Sequence, residues 1–273
     1  MLPIYKQLKV KEIEDNVFIG EMKIKGRKNF NIELLNDITD FFMFVFQQEN
    51  HNNENRFFVL KGEEGSGIFN IGGDLSLFLG LLENKDILAL QQYGRKCVDL
   101  IYKSMNAKNS NMTTVSIING DAYGGGFESA LACDIIIAEK GFNISLPEIR
   151  YGFFPGMGAF ELLSKRVGFV KAKELIMSGK RYSTDELFEL GIFDYLVEKG
   201  KGEEELLKVV KKERANQVTY NSLRKVFDKG YEVSYQDLIQ TLDLWVDSIL
   251  HISEHNKAQI KKVLRVQDKK ATW

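Results

Sequence analysis

Two glutamates, Glu128 just after a run of glycines and Glu148 just after a proline, are the part of the chain equipped to do chemistry. Glu128 follows three consecutive glycines, Gly124 to Gly126. Glycine has no Cβ and takes positive φ, so a ligand can approach its backbone closely. An apolar β-rich run, Thr114–Ile118, enters this stretch and a helix-forming run, Phe127–Cys133, leaves it. The order is strand, backbone-exposing turn, helix start. Free N–H groups at such a start, together with the helix dipole, favour negative charge. A carboxyl group is therefore held beside a place suited to a group that is, or becomes, anionic. Two carboxyls at one apolar pocket have their pKa values pushed apart, so that one keeps a proton while the other accepts one. Such a pair can move one proton at carbon and another at oxygen. The glycines fit neither Gly-x-Gly-x-x-Gly nor a P-loop ending in Gly-Lys-Ser/Thr, which disfavours nucleotide binding.

Positioning these groups requires the chain to fold back. Glu128 and Glu148 are 20 positions apart, about 30 Å along one straight helix. The apolar run Ile135–Ala138 and the turn at Gly141 allow the return. Glu148 follows Pro147, which excludes a regular helix there, and Pro155-Gly156-Met157-Gly158 opens the next helix. A second glycine pair, Gly72-Gly73, again ends an apolar run and exposes backbone before a helix.

Periodicity places strands over Asn16–Ile24, Arg56–Leu60, Thr114–Asn119 and Ile135–Ala138, and an amphipathic helix over Asn31–Phe46. A helical region, Leu75–Met105, has a break near Asn84-Lys85. His51–Asn55 reads as a loop. This alternation of strand and helix defines an α/β class with a largely buried sheet. Beyond Pro155, helices are expected over Phe160–Val167, Lys171–Ser178, Thr184–Leu190 and Glu203–Lys211, with Ile192–Val197 extended and one long helical section over Tyr235–Val266. We expect residues 1–200 to form the α/β core and 201–273 a C-terminal helical region packing on it or on a neighbouring subunit.

A formal net charge of -1 gives no electrostatic reason to expect nucleic acid as a partner. The basic pairs Lys261-Lys262 and Lys269-Lys270 read as solvated helix faces. Cys97 and Cys133 are far apart in apolar surroundings, as reduced thiols of a cytosolic protein would be. His51, His251 and His255 lack metal-ligand spacing, so neither metal nor cofactor is expected. The first residues carry no charged segment followed by an apolar one, and no run of 18 apolar residues exists. The expectation is a cytoplasmic protein with no membrane insertion.

Taken together, Gly72-Gly73-Asp74, Gly124–Glu128, Pro147-Glu148-Ile149 and Pro155-Gly156-Met157-Gly158 resemble the crotonase (enoyl-CoA hydratase/isomerase) superfamily in order, spacing and residue type. That resemblance implies a spiral of β-β-α units, trimers or dimers of trimers, and an acyl thioester substrate. Its carbonyl oxygen would be held by the N–H groups of Gly73 and Gly125, with Gly72 the alternative to Gly73, and Glu128 and Glu148 would be the catalytic pair. Gly72–Leu79, Cys97–Tyr102, Gly120–Leu131, Phe154–Phe160, Trp245–Ser248 and Val263–Gln267 look like the diffusible signal factor (DSF) synthases, a quorum-sensing branch of the superfamily. Such enzymes take a 3-hydroxyacyl group on acyl carrier protein, dehydrate it to the cis-2-enoyl thioester and hydrolyse that to the fatty acid. The resemblance implies substrate contacts at Gly72, Tyr123, Gly124, Met157, Trp245 and Val263, and in some relatives a sensor-kinase receiver domain as partner. Tyr123 stands where it implies an aliphatic residue, and Val263 where it implies leucine. An enoyl-CoA hydratase of β-oxidation, with CoA as carrier, is the competing expectation.

Overall fold

The structure is a computed structural model that describes residues 1–23, 25–48, 54–107, 111–230 and 232–271. Ile24, at the end of one expected strand, and His51 with most of its expected loop lie outside the described residues.

An antiparallel pair, β1 (Leu8–Glu14) and β2 (Val17–Met22), is followed by α1 (Ile32–Phe46). A unit of two strands and helix then recurs. In its first occurrence β3 (Arg56–Gly62) and β4 (Ile68–Asn70) lead into α2 (Leu75–Glu83) and α3 (Ile87–Asn106). In its second, β5 (Met112–Ile118) and β6 (Asp121–Tyr123) lead into α4 (Gly125–Leu131). In its third, β7 (Ile135–Glu139) and β8 (Asn143–Ser145) lead through a 3-10 turn, Glu148–Tyr151, into α5 (Ala159–Ser178). There follow β9 (Arg181–Ser183), α6 (Thr184–Glu189), β10 (Tyr195–Val197), α7 (Gly202–Ala215), α8 (Gln217–Gly230), α9 (Tyr235–Leu250) and α10 (Glu254–Ala271).

The first strand of each unit joins a six-stranded sheet, β1-β2-β3-β5-β7-β10, parallel except at β1–β2. The second joins a four-stranded sheet, β4-β6-β8-β9. Each unit thus crosses from one sheet to the other and then releases a helix. Both faces of the larger sheet are covered over β3, β5 and β7, which is why these strands read as apolar runs rather than the alternation seen in the edge strand β1. Phe57, Val59, Val115, Ile117, Ile135 and Ile137 face Leu206, Val209 and Val210 of α7. Phe58, Leu60, Ile118 and Ile136 belong to the main core with α1 and α3.

The break expected near Asn84-Lys85 is present, with Asp86 capping α3 through its bond from Ala89 N–H. The two expected helices over Phe160–Val167 and Lys171–Ser178 are the two halves of α5, which part at Gly168, where the backbone leaves helical geometry (φ 76°, ψ 163°). The expected long helical section at the C-terminus consists of two helices: α9 is closed by His251, and Ser253 Oγ accepts from Asn256 N–H at 3.1 Å to start α10. A serine caps a helix start as readily as it sits in a helix, and periodicity does not register the interruption. α8 forms where the sequence reading assigns no element. α9 packs along α3, and α10 packs against α2 and the 3-10 turn. Leu242 and Trp245 of α9 thereby reach the space described next.

Candidate active site

Parallel strands bring the turns after β4 and β6 side by side. A Cβ added to Gly72 would lie 2.8 Å from the Tyr123 carbonyl oxygen and 3.0 Å from the Gly125 nitrogen, and Gly72 has φ of 91°. Only glycine fits such a position.

The orientation of the amides follows from peptide planarity. In a trans peptide the carbonyl oxygen and the next N–H point in opposite directions. Gly72 carbonyl accepts from Phe30 N–H at 2.8 Å, so the N–H of Gly73 is turned away from that segment. Gly124 carbonyl accepts from Phe127 and Glu128 at 2.8 and 3.0 Å inside α4, so the N–H of Gly125 points back out of the helix start. Neither amide donates to a partner among the described residues, whereas Gly72 N–H is taken by Asn70 Oδ1 at 2.8 Å and Gly124 N–H by Ser145 carbonyl at 2.9 Å. Of the two glycines considered for the first donor, Gly73 is the one with a free amide.

Glu128 is buried in α4. Its Oε1 accepts from Met157 N–H at 2.8 Å and from Ala159 N–H at 3.1 Å. The first amides of α5 lack intrahelical partners, and the cap position is Gly158, which has no side chain to offer. Glu128 supplies the cap from another element. Burial raises its pKa to about 7, against the opposing pull of those two N–H groups. Glu148 opens the 3-10 turn, and its Oε1 lies 2.2 Å from where a Cβ on Gly124 would stand. Its Oε2 is buried with no hydrogen-bond partner. Burial, and then the charge of Glu128, push its pKa well above the ordinary value. One carboxyl is thus anchored by amides of another element, and the other has one oxygen without a partner.

Both line a cavity of about 580 Å³ including its mouth, together with Gly73, Gly124, Gly125, Met157 and Trp245. Seven of the ten sequence-expected site residues therefore meet in one space. Gly72 sits directly behind it, while Tyr123 and Val263 are not among the lining residues. The Tyr123 ring lies against the Arg181 guanidinium, and its hydroxyl donates to Asp121 at 2.7 Å. Tyr123 adjoins the site through its backbone, beside Gly72.

The remaining wall is apolar and largely aromatic: Ile71, Phe78, Tyr93, Tyr151, Phe153 and Leu242 were not singled out as site residues by sequence. Phe78, Tyr93 and Leu242 read there only as apolar positions of helices. The one available signal was a polar-tipped aromatic in the apolar stripe of α3, namely Tyr93. Trp245 packs edge-on against Phe78 and Phe153, at 5.3 and 6.4 Å between centroids. Gly156 makes room for it, since a Cβ there would lie 2.3 Å from the indole.

Cys97 and Cys133 are free, buried thiols with pKa pushed up to about 12 by burial, so neither is a thiolate nucleophile. Among the described residues no cluster of His, Cys, Asp or Glu could hold a metal, and no helix is long and apolar enough to cross a membrane.

A strand-strand-helix spiral thus brings two free amides and two carboxyls into one space, an arrangement able to stabilise an oxyanion and to move protons. The family model for enoyl-CoA hydratase/isomerase matches residues 14–273, and the chain belongs to that family. It is 34% identical over 137 residues to a probable enoyl-CoA hydratase of Bacillus subtilis, covering 50% of each chain. The chain spans half or less of the length of this and another curated relative it matches. Among solved structures, an enoyl-CoA hydratase from Bacillus anthracis aligns with a TM-score of 0.73 at 21% identity, over 97% of each chain. DspI of Pseudomonas aeruginosa aligns with a TM-score of 0.70 at 19% identity, over 98% of each chain. At these identities the two structures bear on the fold alone.

Proposed function

We propose that the site dehydrates a 3-hydroxyacyl thioester, carried on acyl carrier protein, to the 2-enoyl thioester and hydrolyses that to the free fatty acid, a signal of the DSF type. The observation that carries the reading is the convergence of two free amides with two carboxyls of unlike environment. The Gly73 and Gly125 N–H groups hold the thioester oxygen. As the α-proton leaves, charge collects on that oxygen, and each preorganised donor contributes about 3–4 kcal/mol of stabilisation. The pair at rest holds one proton, on Glu148, with Glu128 ionised; burial of both and their mutual repulsion keep the second proton from leaving. Elimination of water takes one proton from carbon and gives one to the departing hydroxyl, so the pair keeps its single proton throughout. The same hole receives the oxyanion when water, giving a proton to the ionised carboxylate, attacks the thioester carbonyl; on its collapse the C–S bond breaks and the carrier's thiol leaves with a proton from the pair. The apolar wall around Trp245 and Phe78 takes the acyl chain, and the enzyme works as a homo-oligomer, a trimer or hexamer, without a cofactor.

A second reading, reversible hydration of a 2-enoyl-CoA, is favoured by the likeness to the probable enoyl-CoA hydratase of Bacillus subtilis. It uses the same amides and the same carboxyls. Mass spectrometry of products from 3-hydroxydodecanoyl-acyl carrier protein and the matching CoA thioester separates the two. Free 2-enoic acid from the carrier-bound substrate is the expected result. Hydration of enoyl-CoA with no free acid overturns it in favour of the second reading.

A further inference from the structure

We propose that Tyr93 is a positioning residue that aims the Gly73 amide, so that one half of the oxyanion hole is set by a side chain from α3. This rests on the thioester reading of the site.

The geometry is local and complete. Gly73 follows a turn held to the segment before α1 by two backbone bonds, Ile71 N–H to Lys28 carbonyl and Phe30 N–H to Gly72 carbonyl, each 2.8 Å. The second fixes the near side of the Gly72–Gly73 peptide, the unit that bears the donor. The next peptide, Gly73–Asp74, faces Phe30 in an isolated parallel bridge between Phe30 and Gly73, and Tyr93 secures it there: its hydroxyl accepts from Asp74 N–H at 3.3 Å and donates to Phe30 carbonyl at 2.6 Å. Gly73 therefore has both flanking peptides tied to Phe30, the second of them secured by a phenol. A glycine between two soft dihedrals keeps its N–H aimed only if both sides are held.

The hydroxyl is buried, and its ring is fixed edge-on against Phe78 at 5.1 Å between centroids. Phe78 in turn lies under Gly73, where a Cβ would come within 2.7 Å of its ring. The phenol stays neutral, because burial pushes its pKa well above the usual value. It is thus both donor and acceptor at any working pH, which bridging a carbonyl and an N–H requires. Its ring lines the cavity, yet the hydroxyl is engaged by backbone on both sides, so it acts through Gly73 rather than on the substrate.

The test is Tyr93→Phe, which keeps the ring and deletes the bridge. With saturating substrate we expect kcat to fall by roughly tenfold or more, as for a displaced catalytic group, with KM little changed. A conjugated thioester such as cinnamoyl-CoA reports polarisation directly, because its absorbance shifts to the red when its carbonyl accepts strong hydrogen bonds. The unaltered protein should show that shift on binding, and Tyr93→Phe should bind the probe with a smaller one. Tyr102→Phe, on the same helix and outside the cavity, should match the unaltered protein. A full shift and unchanged kcat in Tyr93→Phe overturns the proposal. Absence of any shift in the unaltered protein overturns the thioester reading and the proposal together. If Tyr93→Phe does not fold, hydrogen exchange of the unaltered protein decides: the Asp74 amide should be strongly protected, and exchange at the rate of an open amide overturns the bridge.

Discussion

At the scale of single residues, Glu128 has a structural task beside the chemical one proposed for it, since the carboxyl beside the free amides also caps α5. Replacing Glu128 or Glu148 with glutamine removes a proton-transfer group, and turnover should drop by about 10²–10⁴ in a product assay. Because the reaction needs one proton on the pair, the pH–rate profile should be bell-shaped, rising as pH passes about 7 where Glu128 ionises and falling at higher pH where Glu148 loses its proton. Stability moves the other way. The folded state holds a proton on Glu128 above the pH at which the unfolded chain releases it, so stability declines as pH rises from the ordinary glutamate range to about 7. The loss is on the order of 3 kcal/mol for a shift of this size. Thermal melts across that window should show the decline, and Glu128→Gln should lessen it, leaving the part that Glu148, whose pKa is also raised, contributes.

Among the elements, what could be read in advance depended on the range of the signal. Strands β3, β5 and β7 were legible because burial on both faces makes them unbroken apolar runs. The glycine turns were legible because positive φ and close approach leave few residue choices. β4, β6, β8 and β9, three residues each, are too short to carry a period. The aromatic wall was illegible for a different reason: Phe78, Tyr93 and Leu242 are ordinary apolar helix positions until α9 is laid along α3. Glycines within the elements differ sharply in what they tolerate. Gly72→Ala forces a positive-φ alanine against Tyr123 and Gly125, and should cost about 1–3 kcal/mol together with most of the activity. Gly80, inside α2, has nothing within 4 Å of its missing Cβ. Gly80→Ala should raise stability by about 0.5–1 kcal/mol in a denaturant titration, with turnover unchanged.

For the whole molecule, the single chain leaves large apolar side chains in water. Val226 and Phe227 on α8 are 59% and 67% exposed, and Phe169 and Val170 beside the bend of α5 are 62% and 79% exposed. Exposed apolar surface of this kind marks interaction sites, which accords with the proposed homo-oligomer. Analytical ultracentrifugation should show an assembly, and Phe227→Asp should shift it towards smaller species. The two free amides also sit in different repeats of the spiral, one after β4 and the other after β6. Neither repeat alone can make a working site, and the strands that align them pair across long stretches of chain, a slow step in folding. On dilution from denaturant, helical signal should therefore return before turnover does. Catalysis then acts as a clock for the last register to close, and a chain arrested with one repeat unpaired would look largely folded while remaining silent.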